Sequence, residues 1–238
     1  LKGTKYNFLK NHLAFLLPAL IYLLLILIFV ALLPTNLMMN FYYDDSFFYI
    51  KTANNIAKGL GSTFDGINTT NGYHPLWMLI LVLVAKIHPF VGVDGLRHIL
   101  IIHSIIIVFA AYFQNRFLDE LGIKDNGDFA IVITLCTTGF ADFGAETPIL
   151  LLTSWLFLYS IFARSKGKTW AKPWLIALLS VCVVLARTDS IIFVFAIGIA
   201  VTITILYSKS KPKDIIAFLG ISVLPAFAIY LALGLYNL

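Results

Sequence analysis

The chain has 238 residues; 60% are hydrophobic and 12% are charged. Soluble domains sit near half apolar and a quarter charged, so this composition excludes an ordinary soluble domain and points to a bilayer. The formal charge of +5 is dispersed into short basic clusters beside apolar runs, which is a topology signal and not a nucleic-acid surface.

Residues 13–33 form the first apolar run, and about 20 such residues cross a bilayer. The run is too long for a signal-peptide core and lacks a small-residue cleavage site, so it reads as a retained anchor. Lys2, Lys5 and Lys10 precede it, which predicts a cytoplasmic N-terminus. The chain begins with Leu1 and stops directly after an apolar helix, and is expected to be part of a longer protein. Six later apolar runs, 99–111 with its flanks, 129–140, 149–163, 173–186, 191–207 and 215–236, complete an expected seven spans. Cys136 and Cys182 fall inside these runs and read as small core residues, with no disulfide or metal site expected.

The run at 76–85 is ambiguous, and charge decides it. If it stays outside the bilayer, the N-terminus, Arg116 with Lys124, the cluster from Arg164 to Lys172, and Lys209, Lys211 and Lys213 all lie in the cytoplasm. That is twelve of the seventeen basic residues. If it crosses, the basic loops at 164–172 and 209–213 move outside, against the positive-inside rule. Ten apolar residues also suit an interfacial helix better than a span. The expected fold is therefore an all-α polytopic bundle, one module over 1–238. Its first outer loop runs from about Pro34 to about Leu96 with juxtamembrane helices inside it. A loop of that length is usually functional, and its aromatic, Asn and Gly content argues against disorder.

On this topology seven acidic residues face outward: Asp44, Asp45, Asp65, Asp94, Asp142, Glu146 and Asp189. The span interiors hold almost no charge, so chemistry is expected at the outer rim and not along a path through the bilayer. Asp44-Asp45 opens a segment, 46–58, with Phe48, Ala53, Ile56 and Ala57 at helix-like intervals and Gly59 as a stop. Either aspartate suits an N-cap, and either suits a general base for an acceptor hydroxyl. Neighbouring helical side chains point about 100° apart, so the pair does not suit joint chelation of one metal, and at most one is the base.

Three further elements follow. Residues 63–75 contain Asp-Gly and Asn-Gly turns, a chance glycosylation sequon at Asn68-Thr69-Thr70, and His74 at the entry to the interfacial helix. There His74 is either structural or a donor to a phosphate oxygen at headgroup level. The turn from Asp142 to Pro148 carries Glu146, which either starts the next helix or faces the site as a second carboxylate. Arg187-Thr188-Asp189 is either a self-paired Arg–Asp or an arginine fork for a lipid phosphate.

The run Asp-x-x-x-Tyr-x-x-x-Ala, here Asp45, Tyr49 and Ala53, with Gly59 and then Asn71-Gly72-Tyr73-His74-Pro75, resembles the C-type superfamily of integral-membrane glycosyltransferases. It is similar in particular to bacterial members related to protein O-mannosyltransferases and aminoarabinose transferases. The likeness covers the N-terminal module and is strongest over 43–77. It implies a catalytic acidic residue in the first outer loop, a polyprenyl-phosphate sugar donor, and a second-loop carboxylate that maps onto Glu146, beside Asp142. The family often has Asp followed by Glu at the first site; with Asp44-Asp45 here, the spacing selects Asp45 and a one-residue shift selects Asp44. The basic residue sometimes found before the interfacial helix is absent, and Arg187 matches by position only.

The resemblance implies sugar transfer with inversion to a hydroxyl of a glycan, lipid or protein, at the outer face of a bacterial or archaeal cell membrane. His74 and Arg187 would contact the donor phosphate. No cofactor is required by this chemistry, and a divalent metal, used by some relatives, stays open. Two other classes are compatible with a polytopic chain. A secondary transporter should place charges at mid-bilayer. A non-catalytic membrane scaffold explains the spans but not the outward carboxylates.

Overall fold

The structure is a computed structural model that describes residues 2–90, 94–123, 132, 134–135, 143–207 and 212–236. Nine helices of more than ten residues organise these residues: α1 (Lys2–Leu32), α2 (Asp44–Ala57), α3 (Pro75–Ile87), α4 (Asp94–Leu121), α5 (Thr147–Ser165), α6 (Pro173–Ala186), α7 (Ile191–Tyr207), α8 (Pro212–Ser222) and α9 (Leu224–Tyr236). Among the described residues the only β features are isolated bridges, Tyr42 with Phe143 and Thr63 with Thr69. The chain is an all-α membrane protein.

Five stretches are long and apolar enough to cross a membrane: Phe15–Leu32, Gly95–Leu121, Thr147–Ser165, Thr188–Tyr207 and Ile216–Tyr236. Large apolar side chains stand exposed along them, such as Leu17, Leu20 and Leu24 on α1 and Ile192 and Ile199 on α7. Continuous apolar surface of this kind belongs against lipid. The expected span at 173–186 is the 14-residue α6, about 21 Å long at 1.5 Å per residue and short of a hydrocarbon core of about 30 Å. The expected span at 129–140 falls almost wholly outside the described residues. The helix expected at 76–85 is present as α3, 13 residues long, and α4 begins at Asp94, two residues before the expected limit of the first loop.

α4 is the central post. α1 runs antiparallel to it: Phe15 meets Tyr112 edge-on at 5.4 Å, the Tyr22 hydroxyl donates to Ser104 Oγ at 3.3 Å, and Arg97 donates to the Leu33 carbonyl at 3.4 Å. α5 runs parallel to α4, since Gly144 meets His103 at one end, Phe117 meets Trp155 and Phe162 further along, and Glu120 pairs with Lys166 at the other end. α6 then runs back beside α5, returning the chain from the Glu120 end to the end where Arg187 meets Glu146. One core joins α1 to α4. A second, with Phe157, Ile176, Val183, Val194 and Ala226 at its centre, joins α5 to α9.

The loop helices are tied down by buried polar bonds. Asn54 of α2 donates to the Phe90 carbonyl at 2.6 Å and accepts from the Phe90 amide at 3.0 Å. Asn55 donates to the carbonyls of Thr63 and Phe64. Asn54→Ala is expected to destabilise the fold by about 2–3 kcal/mol, because it leaves two backbone groups of Phe90 without partners. Asn54→Asp should restore only the bond from the Phe90 amide. Thermal unfolding in lipid nanodiscs checks both variants; an unchanged midpoint for Asn54→Ala would show that this clamp carries no stability.

Candidate functional site

The helix expected over 46–58 is present as α2. It buries Ser46, Tyr49, Thr52, Ala53, Asn54 and Asn55, while Phe48 and Ile56 are half-exposed. The inward face of this helix is mixed: Tyr49 and Ala53 join the hydrophobic core, while Ser46, Asn54 and Asn55 dock on backbone carbonyls. The Ser46 hydroxyl donates to the Phe143 carbonyl at 2.6 Å. Tyr42, just before the helix, donates to the Leu96 carbonyl at 2.6 Å. The N-cap of α2 is Tyr43, so Asp44 and Asp45 lie in the first helical turn. The N-cap reading is therefore corrected for both aspartates, although both still complement the helix dipole.

Both aspartates are exposed, and they face different neighbours. Asp45 precedes Tyr49 by four residues and raises its ionisation cost electrostatically. Asp44 precedes Phe48 by four residues, and the Phe48 ring stacks on Phe64 of the following loop at 5.5 Å. Residues four apart share a helix face. Asp45 thus sits on the Tyr49 side and Asp44 on the Phe64 side. The loop beyond is set by Asp65, which accepts from the Ile67 amide at 2.8 Å, the Asn68 amide at 2.7 Å and the Asn68 side chain. These bonds hold the Asp65 carboxyl below the usual carboxylate range.

Tyr49 is 4% exposed and gathers the site. Its oxygen accepts from the His74 amide at 3.0 Å, and its hydroxyl faces Glu146 Oε2 at 3.5 Å. Burial pushes its phenol well above the ordinary tyrosine range, with the Glu146 and Asp45 charges adding to the rise. It stays a neutral donor at physiological pH.

Glu146 is the meeting point. It holds the N-cap position of α5 without capping the helix through its side chain. Its carboxylate turns instead to His74 Nε2 at 3.4 Å and Arg187 Nη1 at 3.5 Å. His74 is the N-cap of α3, followed by Pro75 in the first turn, which suits a proline's missing N–H. Arg187 follows the C-terminus of α6 and also pairs with Asp189, through Nε at 3.0 Å. The self-paired Arg–Asp is present, and Arg187 faces Glu146 as well.

The turn before α5 is anchored on three sides. The Trp77 indole donates to the Gly144 carbonyl at 2.9 Å, the Gly144 amide donates to His103 Nδ1 at 3.2 Å, and Ser46 holds Phe143. Trp77 and His103 are fully buried. Neither was singled out in sequence, nor was any role given to Tyr49, although the Asp-x-x-x-Tyr spacing placed its ring on the Asp45 face. Asp142 lies outside the described residues.

Arg187 also stands at the mouth of an apolar groove of about 620 Å³ between α5 and α7. Leu150, Leu151, Trp155, Leu158 and Phe193 line its depth, and Arg187, Asp189 and Ser190 line its mouth. An open apolar groove with polar side chains on its lining has the chemistry of an amphiphile's tail and head. Among the described residues no group of three or more His, Cys, Asp or Glu side chains is arranged to hold a metal ion. No family model, curated protein or solved structure matches the chain.

Proposed function

We propose that this chain is a membrane glycosyltransferase module of the kind its loop motif resembles, moving a sugar from a polyprenyl-phosphate donor to an acceptor hydroxyl at the membrane–water interface. The observation that carries the reading is convergence. Asp45 with Tyr49, His74, Glu146 and Arg187 come from four separate segments and meet at one rim, beside an apolar groove whose mouth is Arg187. In this reading the rim lies at the outer face, as the positive-inside rule favours.

In this reading Asp45 takes the proton from the acceptor hydroxyl. The freed oxygen forms a bond to the anomeric carbon on the face opposite the donor phosphate. The bond from that carbon to the phosphate oxygen breaks, and the lipid phosphate leaves with its electron pair, inverting the centre. Phosphate is already a competent leaving group, so the protein mainly orients the reactants and balances charge. Arg187 is the cation available and the His74 imidazole stands beside it, and both rest on Glu146. A donor phosphate at the groove mouth competes with that carboxylate for Arg187, while Glu146 holds the two groups at the rim. The polyprenyl chain occupies the groove between α5 and α7.

A non-catalytic scaffold is the second reading, favoured by one observation: Arg187 is already matched by two carboxylates, as a purely structural pair would be. Proteoliposomes containing the chain, supplied with radiolabelled polyprenyl-phosphate sugars and a panel of hydroxyl acceptors, separate the two. Time-dependent consumption of donor with release of polyprenyl phosphate is expected. No consumption with any donor would sink the transferase in favour of the scaffold.

A further inference from the structure

The end of the bundle opposite the rim carries a feature that the proposed reaction does not use. The turn between α5 and α6 reads Arg164-Ser165-Lys166-Gly167-Lys168-Thr169-Trp170-Ala171-Lys172-Pro173-Trp174. It is a fixed turn. The Lys168 amide donates to the Ala163 carbonyl at 3.0 Å, and Arg164 donates to the Ala171 carbonyl at 3.4 Å. Lys166 and Lys168 both reach Glu120 at the end of α4, at 3.3 Å and 3.7 Å.

Charge remains after these internal pairs. One carboxylate, Glu120, faces two lysines, while Arg164 is bonded to a neutral carbonyl. Arg116 and Asp119 satisfy each other nearby. Lys172 is exposed and has no partner among the described residues. On either side of it stand two exposed indoles, Trp170 at 43% and Trp174 at 66%. Trp170 is propped on Tyr159 with ring centroids 5.1 Å apart. One turn beyond Trp174 on the same face of α6 is Leu178, 51% exposed.

Tryptophan at the end of an apolar helix sits at the headgroup level, and lysines there attract anionic headgroups. We propose that this turn is a binding surface for an anionic phospholipid, with the headgroup at Lys172 and Lys168 and an acyl chain along Trp174 and Leu178. The indole and leucine below the lysine favour a lipid over a soluble polyanion, because they continue the surface into the apolar layer. The inference is independent of the transferase reading.

The test is native mass spectrometry of the full chain in detergent, titrated with dioleoylphosphatidylglycerol or dioleoylphosphatidylcholine. The anionic lipid is expected to bind first, by about fivefold or more, the gain of one basic residue at a charged headgroup. Lys172→Gln breaks no internal pair and should remove about fivefold of that preference. Trp174→Ala should weaken both lipids alike. The double variant Lys51→Gln with Lys58→Gln removes two exposed charges at the other end and should leave the preference intact. A preference unchanged in Lys172→Gln, or lost equally in the Lys51/Lys58 variant, would overturn the proposal by showing that net charge alone is read.

Discussion

Asp45→Asn is expected to lower sugar transfer by about 10²–10⁴-fold, the usual contribution of a positioned general base, while Asp44→Asn changes it by no more than about twofold, as for an exposed side chain with no specific role. The asymmetry follows from helix geometry. The two carboxylates occupy the first turn of α2 and project about 100° apart. Asp45 lies over Tyr49, and Tyr49 touches both His74 and Glu146. Asp44 lies over Phe48 and its stacked partner Phe64. A hydroxyl deprotonated by Asp45 is therefore on the side of the Tyr49 contacts with His74 and Glu146, and one deprotonated by Asp44 is on the Phe64 side. Neither aspartate has a hydrogen bond or ion pair among the described residues, so neither substitution removes a fold contact. The assay is initial rate in proteoliposomes at saturating donor, with donor KM measured alongside. A large fall in the rate with little change in KM marks the base. Equal losses in the two variants would show that the pair acts through its charge at the helix start, and a dominant loss in Asp44→Asn would reverse the assignment.

How far the sequence reveals this site depends on what kind of contact builds each part. The acidic pair, His74, Glu146 and Arg187 stand out because charged or titratable groups are scarce in so apolar a chain, and the positive-inside rule sorts them onto one face. That α3 is a short helix and not a full-length span is legible as well, since its apolar run is only ten residues long before Lys86. The inward face of α2 is only partly legible. Its apolar spacing includes Ala53, which is buried in the core, but does not show that Ser46, Asn54 and Asn55 turn inward to bond to backbone groups of Phe143, Phe90 and Thr63. Hydrophobic periodicity does not register a helix that docks through hydrogen bonds to distant carbonyls. The ends of spans blur similarly: α6 has a span's composition in 14 residues, and composition alone does not set length. Tyr49 lies between these cases, since its place in the motif is visible but its two partners, 25 and 97 residues away, are not.

The turn that carries Glu146 into the site tolerates little change. Gly144→Ala is expected to destabilise the protein by about 2–5 kcal/mol, from two additive causes. The residue has φ +85°, a left-handed conformation that costs an L-residue about 1–2 kcal/mol. A Cβ there would also lie 2.7 Å from Ser46 Cβ and Oγ and 3.1 Å from the Tyr42 ring, an overpacking that costs about 1–3 kcal/mol. Neither neighbour can yield freely. Ser46 is held by its bond to the Phe143 carbonyl, and Tyr42 by its bond to the Leu96 carbonyl. Gly59 provides the internal comparison, since it has φ +80° but nothing within 4 Å of an added Cβ. Gly59→Ala should show the conformational cost alone. The difference between the two midpoints of thermal unfolding in nanodiscs isolates the contact with Ser46 and Tyr42. Transfer should fall with it, because a shifted Gly144 releases Trp77 and His103 and moves Glu146, two residues on, away from His74 and Arg187. A displacement of about 1 Å at a reacting centre can cost a hundredfold in rate. Equal midpoints for Gly144→Ala and Gly59→Ala would mean that α2 moves away from the turn without cost, and the docking of the acidic pair onto the Glu146 turn would then be loose and not built.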